Sequence, residues 1–223
     1  MISVNPLYEA TNEWLPSIVR LLEPQENDCI AAVCGSGDQA FALLESGAKV
    51  VTIDREWHQI EYARRRGSAL QENDLSAFLR TKDPEYDRNS LSLIDQSNRY
   101  FKVPGRLELI RRNLDGITFR EGPFLEIVAD GEFQWSKLYL SNILMNEWLR
   151  KNWHRNDARA ERPAQLTAML PHLQRGGLVY MSGVDSYFGN VKEPHPGLRL
   201  KKYVLEGSPQ CLLRDAAVYQ WTG

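Results

Sequence analysis

The stretch Cys34–Gln59, CGSGDQAFALLESGAKVVTIDREWHQ, decides how the rest of the chain is read. It closes the short apolar run Asp28–Cys34, which has the length of a buried strand. Gly35–Gly37 then turns the chain, Asp38–Ser46 reads as an apolar helix, and Gly47 stands where a left-handed cap stops a helix. Lys49–Ile53 is rich in β-branched residues and reads as a second strand. Trp57 to about Leu70 reads as a second helix. Strand, helix, strand, helix in this order predicts a parallel sheet with right-handed crossovers.

Upstream, residues 10–22 are amphipathic and helical mainly after Pro16. Downstream, residues 72–113 break the rhythm with a polar, mixed segment holding two helical patches, LSAFLR and GRLELIRRNL. That is too long for a plain connection and reads as an inserted cap or lid over the active face. The alternation resumes with a strand at Gly116–Phe119, a helix at Pro123–Asp130 and a fourth strand at Trp135–Leu140. A helix over Arg162–Leu173 ending in LQRGG leads to a fifth strand at Gly177–Ser182. Lys201–Leu205 and Asp215–Thr222 complete the pattern as an antiparallel-like pair. The expected fold class is α/β: a seven-stranded, doubly wound sheet in one domain over residues 1–223.

Composition narrows the function classes. With 43% hydrophobic and 25% charged residues the chain is an ordinary globular sequence. Its net charge of −2 gives no electrostatic case for nucleic acid as a partner. Apolar runs are of strand length, so no membrane insertion is expected. The start, MISVNPLYEATNEW, lacks the basic-then-apolar pattern of a secretory signal. Cys29, Cys34 and Cys211 form an odd, scattered set, which fits reduced thiols and a cytoplasmic protein. His58, His154, His172 and His195 are isolated, so no metal is expected.

In an open parallel sheet the ligand lies at the carboxyl ends of the strands, where strand order reverses. Gly35 and Gly37 follow the first strand directly, and the helix from Asp38 presents unpaired N–H groups there. Asp54 closes the second strand about 20 residues beyond the first glycine, the place of an acid accepting both ribose hydroxyls. The same features also fit a tight turn and a helix cap. G-S-G-D-Q-A matches a relaxed dinucleotide fingerprint. However, Asp38 at the helix start repels a pyrophosphate and welcomes an ammonium. LTAMLPHLQRGGLVYMSG also looks like the helix–GG–strand passage of class I methyltransferase-fold proteins. S-adenosylmethionine is therefore the expected cofactor or donor.

The sequence further resembles the family of the S-adenosylmethionine:diacylglycerol 3-amino-3-carboxypropyl transferase of betaine-lipid synthesis. The matching residues are Gly37-Asp38-Gln39, Asp54 with Gln59, Arg66, and the passage YLSNILMNEW over Tyr139–Trp148. Gln39 and Glu56 stand where the family has asparagine, Arg64 replaces its glutamate, and the spacing before Trp148 is longer. The resemblance implies attack of a nucleophile on the γ-carbon of the methionine chain, releasing 5′-methylthioadenosine. With the donor's own α-amine as nucleophile, the product is azetidine-2-carboxylate. The lipid acceptor does not carry over, and the expected partner is a small-molecule acceptor or none beyond the donor. A small-molecule methyltransferase is the alternative; a nicotinamide oxidoreductase and a non-catalytic binding protein on the same fold also stand.

By position, Asp38 and the Gly35–Gly37 backbone are assigned to the amino-acid end and Asp54 to the ribose, with Ser36 and Gln39 as further cofactor-binding residues. Gln59 is placed near the ribose or first loop, and Glu121 near the adenine amino group. Tyr139, Ser141 and Asn142 end the fourth strand as catalytic candidates, with Asn142 orienting the nucleophile through its amide carbonyl. Asn5, Tyr8 and Glu9 are candidates for the substrate side, and Arg155 or Arg159 for holding a carboxylate. The oligomeric state is left open.

Overall fold

A computed structural model describes residues 6–80, 88–144, 158–183, 194–206 and 214–223. The described strands are β1 (Cys29–Val33), β2 (Lys49–Asp54), β3 (Ile117–Glu121), β4 (Trp135–Ser141), β5 (Leu173–Ser182), β6 (Leu198–Glu206) and β7 (Arg214–Trp221). They form one seven-stranded sheet in the order β3-β2-β1-β4-β5-β7-β6. β1 to β5 are parallel; β7 inserts antiparallel between β5 and β6. The expected α/β fold class is present. Strand order reverses beside β1, which has β2 on one side and β4 on the other, so the switch point lies at the turn after β1.

Alternation along the strands feeds two cores. Ile30, Ala32, Val50, Tyr139 and Tyr180 face one layer; Ala31, Val51, Leu138, Leu140 and Val179 face the other. The first layer holds α1 (Leu15–Leu22), α2 (Asp38–Leu44), α5 (Arg88–Phe101) and α6 (Arg106–Arg112). The second is covered by α7 (Phe124–Ala129) and α8 (Ala158–Met169). Between them in the chain run α3 (Trp57–Gln71) and the short α4 (Leu75–Leu79).

Two segments differ from expectation. Residues 72–113 contain three helices, α4, α5 and α6, and α5 was not anticipated. Phe78, Tyr100, Phe101 and Ile110 of this segment lie in the first core, with Phe78 edge-on to both Phe41 and Phe101 at 5.2 Å. The second difference is at LQRGG, which continues no helix: β5 begins at Leu173, and α8 ends at Met169. The extra residues before Gly177 are taken up as an irregularity between the Trp135–Leu173 and Lys137–Leu178 pairs, where Gly176 has φ +86°.

Candidate active site

The carboxyl ends of β1, β2 and β4 open into a cavity of about 550 Å³, a size that suits a cofactor. Gly35 and Ser36 form its floor, Asp54, Arg55 and Glu56 one wall, and Ser141, Asn142 and Ile143 the opposite wall. Leu7, Tyr8, Thr11 and Asn12 of the N-terminal arm close over it, and Leu93 of α5 reaches it too. Ile53, Phe124 and Ile143 give one part of the wall an apolar character suited to a flat ring.

Glycine at the turn has two different causes. At Gly37, φ is +84° and an added Cβ would stand 2.8 Å from the Ala63 Cβ, so α2 and α3 meet only across a missing side chain. Gly35, with φ +48°, has no atom closer than 4.0 Å to such a Cβ. Its place is dictated by backbone geometry alone.

Asp54 ends β2 and faces the cavity. Its Oδ2 accepts from the Gly35 N–H at 3.1 Å and its Oδ1 from the Glu56 N–H at 3.1 Å. Burial, only partly offset by the N–H bonds of Glu56, Gly35 and Arg55, pushes its carboxyl above the ordinary value. With four lone pairs, the carboxylate has acceptor capacity beyond these N–H bonds.

Asp38 is different. It is fully buried, with Arg66 Nη1 at 2.8 Å and Arg80 Nη2 at 3.1 Å from Oδ1, and with the Thr11 N–H on Oδ2 at 3.0 Å. Burial alone would raise its pKa; Arg80, Arg66 and the Thr11 bond outweigh that and hold it at about 2. Arg66 also donates to the carbonyls of Ser36 and Phe78 at 2.7 and 3.0 Å, so this cluster locks the first turn to α3 and α4.

No protein-family model and no curated protein matches the chain. Solved structures do. TrmN from Thermus thermophilus is similar over 93% of this chain and 48% of its own, with 12% identity and a TM-score of 0.57. The chain thus spans about half of that protein. The putative methyltransferase yhhF from Escherichia coli matches over 98% of this chain and 91% of its own, at 12% identity and TM-score 0.55. The N-methyltransferase NodS from Bradyrhizobium japonicum WM9, determined with S-adenosylhomocysteine, matches over 94% and 86%, at 10% identity and TM-score 0.55. The fold is that of class I methyltransferases.

Within this methyltransferase fold, the residues expected from sequence divide into two groups. Gly35, Ser36, Gln39, Asp54, Ser141 and Asn142 line one cavity, together with Tyr8 of the arm. Asp38, Gln59, Tyr139, Glu121 and Gly37 do not line it. Asp38 was expected at the ammonium, but its carboxylate is taken up by two guanidinium groups. Gln59 was expected near the ribose or first loop, and it meets the first loop: its amide is consumed by the arm and the turn. Its Nε2 donates to the carbonyls of Tyr8 at 3.0 Å and Gly35 at 2.6 Å, and its Oε1 accepts from the Tyr8 N–H at 3.0 Å.

Tyr139 was a catalytic candidate, yet strand alternation turns it into the first core, stacked on Tyr180 at 5.1 Å. Burial, with Glu13 nearby, holds its phenol well above the ordinary value. Glu121 pairs in register with Asp54 at the strand tips but is exposed. Asn5 and Arg155 lie outside the described residues, as does Trp148. No group of His, Cys, Asp and Glu able to hold a metal occurs among the described residues. No helix among them is long and apolar enough to cross a membrane.

Sequence reasoning missed Glu13. It is buried at 4% exposure, and its carboxylate accepts from Ser141 Oγ, from Ser182 Oγ at 3.0 Å and from Tyr180 OH at 2.9 Å. Three hydroxyls on one buried carboxylate come from β4 and β5, far from Glu13 in sequence. No local signal announces them.

Proposed function

We propose that this chain is an S-adenosylmethionine-dependent transferase acting on a small molecule, with methyl transfer as the reaction its fold neighbours support best. The observation that carries it is the placement of Asp54 and the Gly35–Ser36 backbone on one cavity at the switch point of a methyltransferase-type sheet. Asp54 would accept from both ribose hydroxyls, and the apolar wall at Ile53 and Phe124 would take the adenine. NodS, similar in fold, is described as an N-methyltransferase in complex with S-adenosylhomocysteine.

In methyl transfer the acceptor's lone pair forms a bond to the methyl carbon while the carbon–sulfur bond breaks toward sulfur. The sulfonium becomes a neutral thioether. Holding the acceptor in line supplies most of the rate, and a base is needed only where the acceptor must lose a proton. Asn142, which also lines the cavity, would orient the acceptor through its amide oxygen.

A second reading is attack on the γ-carbon of the methionine chain. It is favoured by the residues matching the aminocarboxypropyl transferase family, several of which (Gln39, Asp54, Ser141 and Asn142) meet in the cavity. One assay separates the two. Protein incubated with S-adenosylmethionine, alone and with cell extract, is analysed by mass spectrometry. S-adenosylhomocysteine supports methyl transfer, and 5′-methylthioadenosine supports γ-carbon chemistry. Calorimetric binding of NAD but not S-adenosylmethionine would sink both.

A further inference from the structure

Buried ionic groups are normally paired, because an isolated charge removed from water is costly. Asp38 obeys this rule, with two arginines against its carboxylate. Glu13 does not. Its partners are neutral hydroxyls, those of Ser141, Tyr180 and Ser182 with the Tyr139 phenol beside them, and no ion pair reaches it among the described residues. One of those partners, Ser141, also lines the cavity, and it holds φ at +51°, a backbone conformation unusual outside glycine. An uncompensated carboxylate therefore sits one hydroxyl away from the ligand space.

A second observation points the same way. Gln39 lines the cavity, is 6% exposed, and spends its amide nitrogen on Thr11 Oγ1 at 2.9 Å and on Tyr139 OH at 3.4 Å. Its Oε1 is buried without a partner. Buried acceptors left unpaired in a protein await a donor. Ser141 Oγ gives its own proton to Glu13 and has the Tyr139 phenol beside it, which leaves one lone pair as another acceptor. Two acceptors with a carboxylate behind one of them describe a site for a donor-rich cation.

We infer that Gln39 Oε1 and Ser141 Oγ, with Glu13 behind Ser141, form the ammonium subsite for the amino-acid end of the bound nucleoside. This rests on the cofactor reading above and moves the ammonium from Asp38, whose oxygens are occupied. Glu13 acts as a positioning residue: it polarises Ser141 and supplies the charge that balances the ammonium, without touching the ligand.

The test is isothermal titration calorimetry of the full chain against S-adenosylmethionine, S-adenosylhomocysteine and 5′-methylthioadenosine, comparing wild type with Glu13→Gln. The first two ligands carry the ammonium and the third does not. Glu13→Gln is expected to weaken the first two at least about tenfold and leave the third within about twofold. A merely structural role would shift all three alike, and that result overturns the inference. So does a loss confined to S-adenosylmethionine, which would place the sulfonium there instead.

If wild type binds none of the three, the cofactor reading fails and the subsite falls with it. Wild-type binding without the differential overturns the subsite and leaves the cofactor reading standing. Should Glu13→Gln lose its cooperative thermal transition, Ser141→Ala is compared with Ser182→Ala. Each deletes one hydroxyl from Glu13, but only Ser141 lines the cavity. Selective weakening by Ser141→Ala supports the subsite; equal effects overturn it.

Discussion

The turn after β1 and the turn after β2 each carry an aspartate near the same cavity, and the structure uses them in opposite ways. Asp38 lies behind the first turn, sealed by Arg66 and Arg80 and without access to the ligand space. Asp54 lies at the tip of β2, held by backbone N–H groups and lining the cavity. A carboxylate serves a ligand when its lone pairs are left over, and Asp38 has none to spare. Position in a motif does not reveal this; the neighbours do.

The largest effect is expected from breaking the sealed cluster. Asp38→Ala leaves two arginines buried without a counter-charge, and removing one partner of a buried pair costs about 3–5 kcal/mol. A protein with a total stability of roughly 5–15 kcal/mol would feel this as partial or complete unfolding. Urea titration followed by circular dichroism reads it. A loss under about 1 kcal/mol would show that the cluster is not structural, and the contrast with Asp54 would collapse.

Much of the contrast was out of reach of the sequence. Cys34–Gln59 displays its turn, helix and strand openly, because glycines, an apolar run and β-branched residues fall at the expected intervals. Arg66 and Arg80, by contrast, come from α3 and from the end of α4, and nothing near Asp38 in sequence indicates that they converge on it. The missed helix α5 has a related cause. Its buried face includes Gln96, Ser97 and Asn98, which are spent on the Glu13 carbonyl, on Arg80 Nη2 and on the Arg80 carbonyl. Polar residues buried between the core positions Ile94 and Phe101 interrupt the apolar stripe and make the segment read as mixed. Tyr139 lies two residues before the cavity-lining Ser141, deeper in the strand, and is stacked on Tyr180 in the first core.

At Asp54 the expected loss is in binding. Asp54→Ala removes the acceptor for both ribose hydroxyls, about 2–3 kcal/mol or roughly 30- to 150-fold in affinity for S-adenosylmethionine. Stability should fall by no more than about 1 kcal/mol, the order of a lost backbone cap. Calorimetry and a thermal melt on the same variant separate the two effects. An affinity within about threefold of wild type would remove Asp54 from the ligand site.

Acid sharpens the same comparison. Asp38 has a folded pKa of about 2, below the ordinary 3.8, so its ionised form stabilises the fold above pH 3.8. That stability, about 2 kcal/mol, is lost as pH falls from 3.8 through 2. Asp54 is shifted the other way, chiefly by burial, and takes up its proton at a higher pH than Asp38 does. Protonation costs it one of the acceptor positions for the ribose. Affinity for S-adenosylmethionine should therefore decline on acidification before the Asp38 contribution to folding goes. Parallel loss of binding and of ellipticity would contradict the separation.

The finest test sets Gly35 against Gly37, two residues apart in the same turn. Gly37→Ala puts a methyl 2.8 Å from Ala63 and 3.0 Å from Phe41, in a left-handed backbone, so α2 and α3 must move apart. Overpacking of this kind costs about 1–3 kcal/mol before backbone strain is added. Gly35→Ala meets nothing closer than 4.0 Å, and only its φ of +48° is penalised, by about 1 kcal/mol. The order of stability should be wild type, Gly35→Ala, Gly37→Ala by urea titration. Ligand affinity should drop in Gly35→Ala, because Gly35 both forms the cavity floor and donates its N–H to Asp54. If affinity in Gly35→Ala equals wild type, the ligand does not approach the turn after β1. The cavity is then entered from the β4 side alone, and the division of labour between the two turns must be redrawn around Ser141 and Asn142.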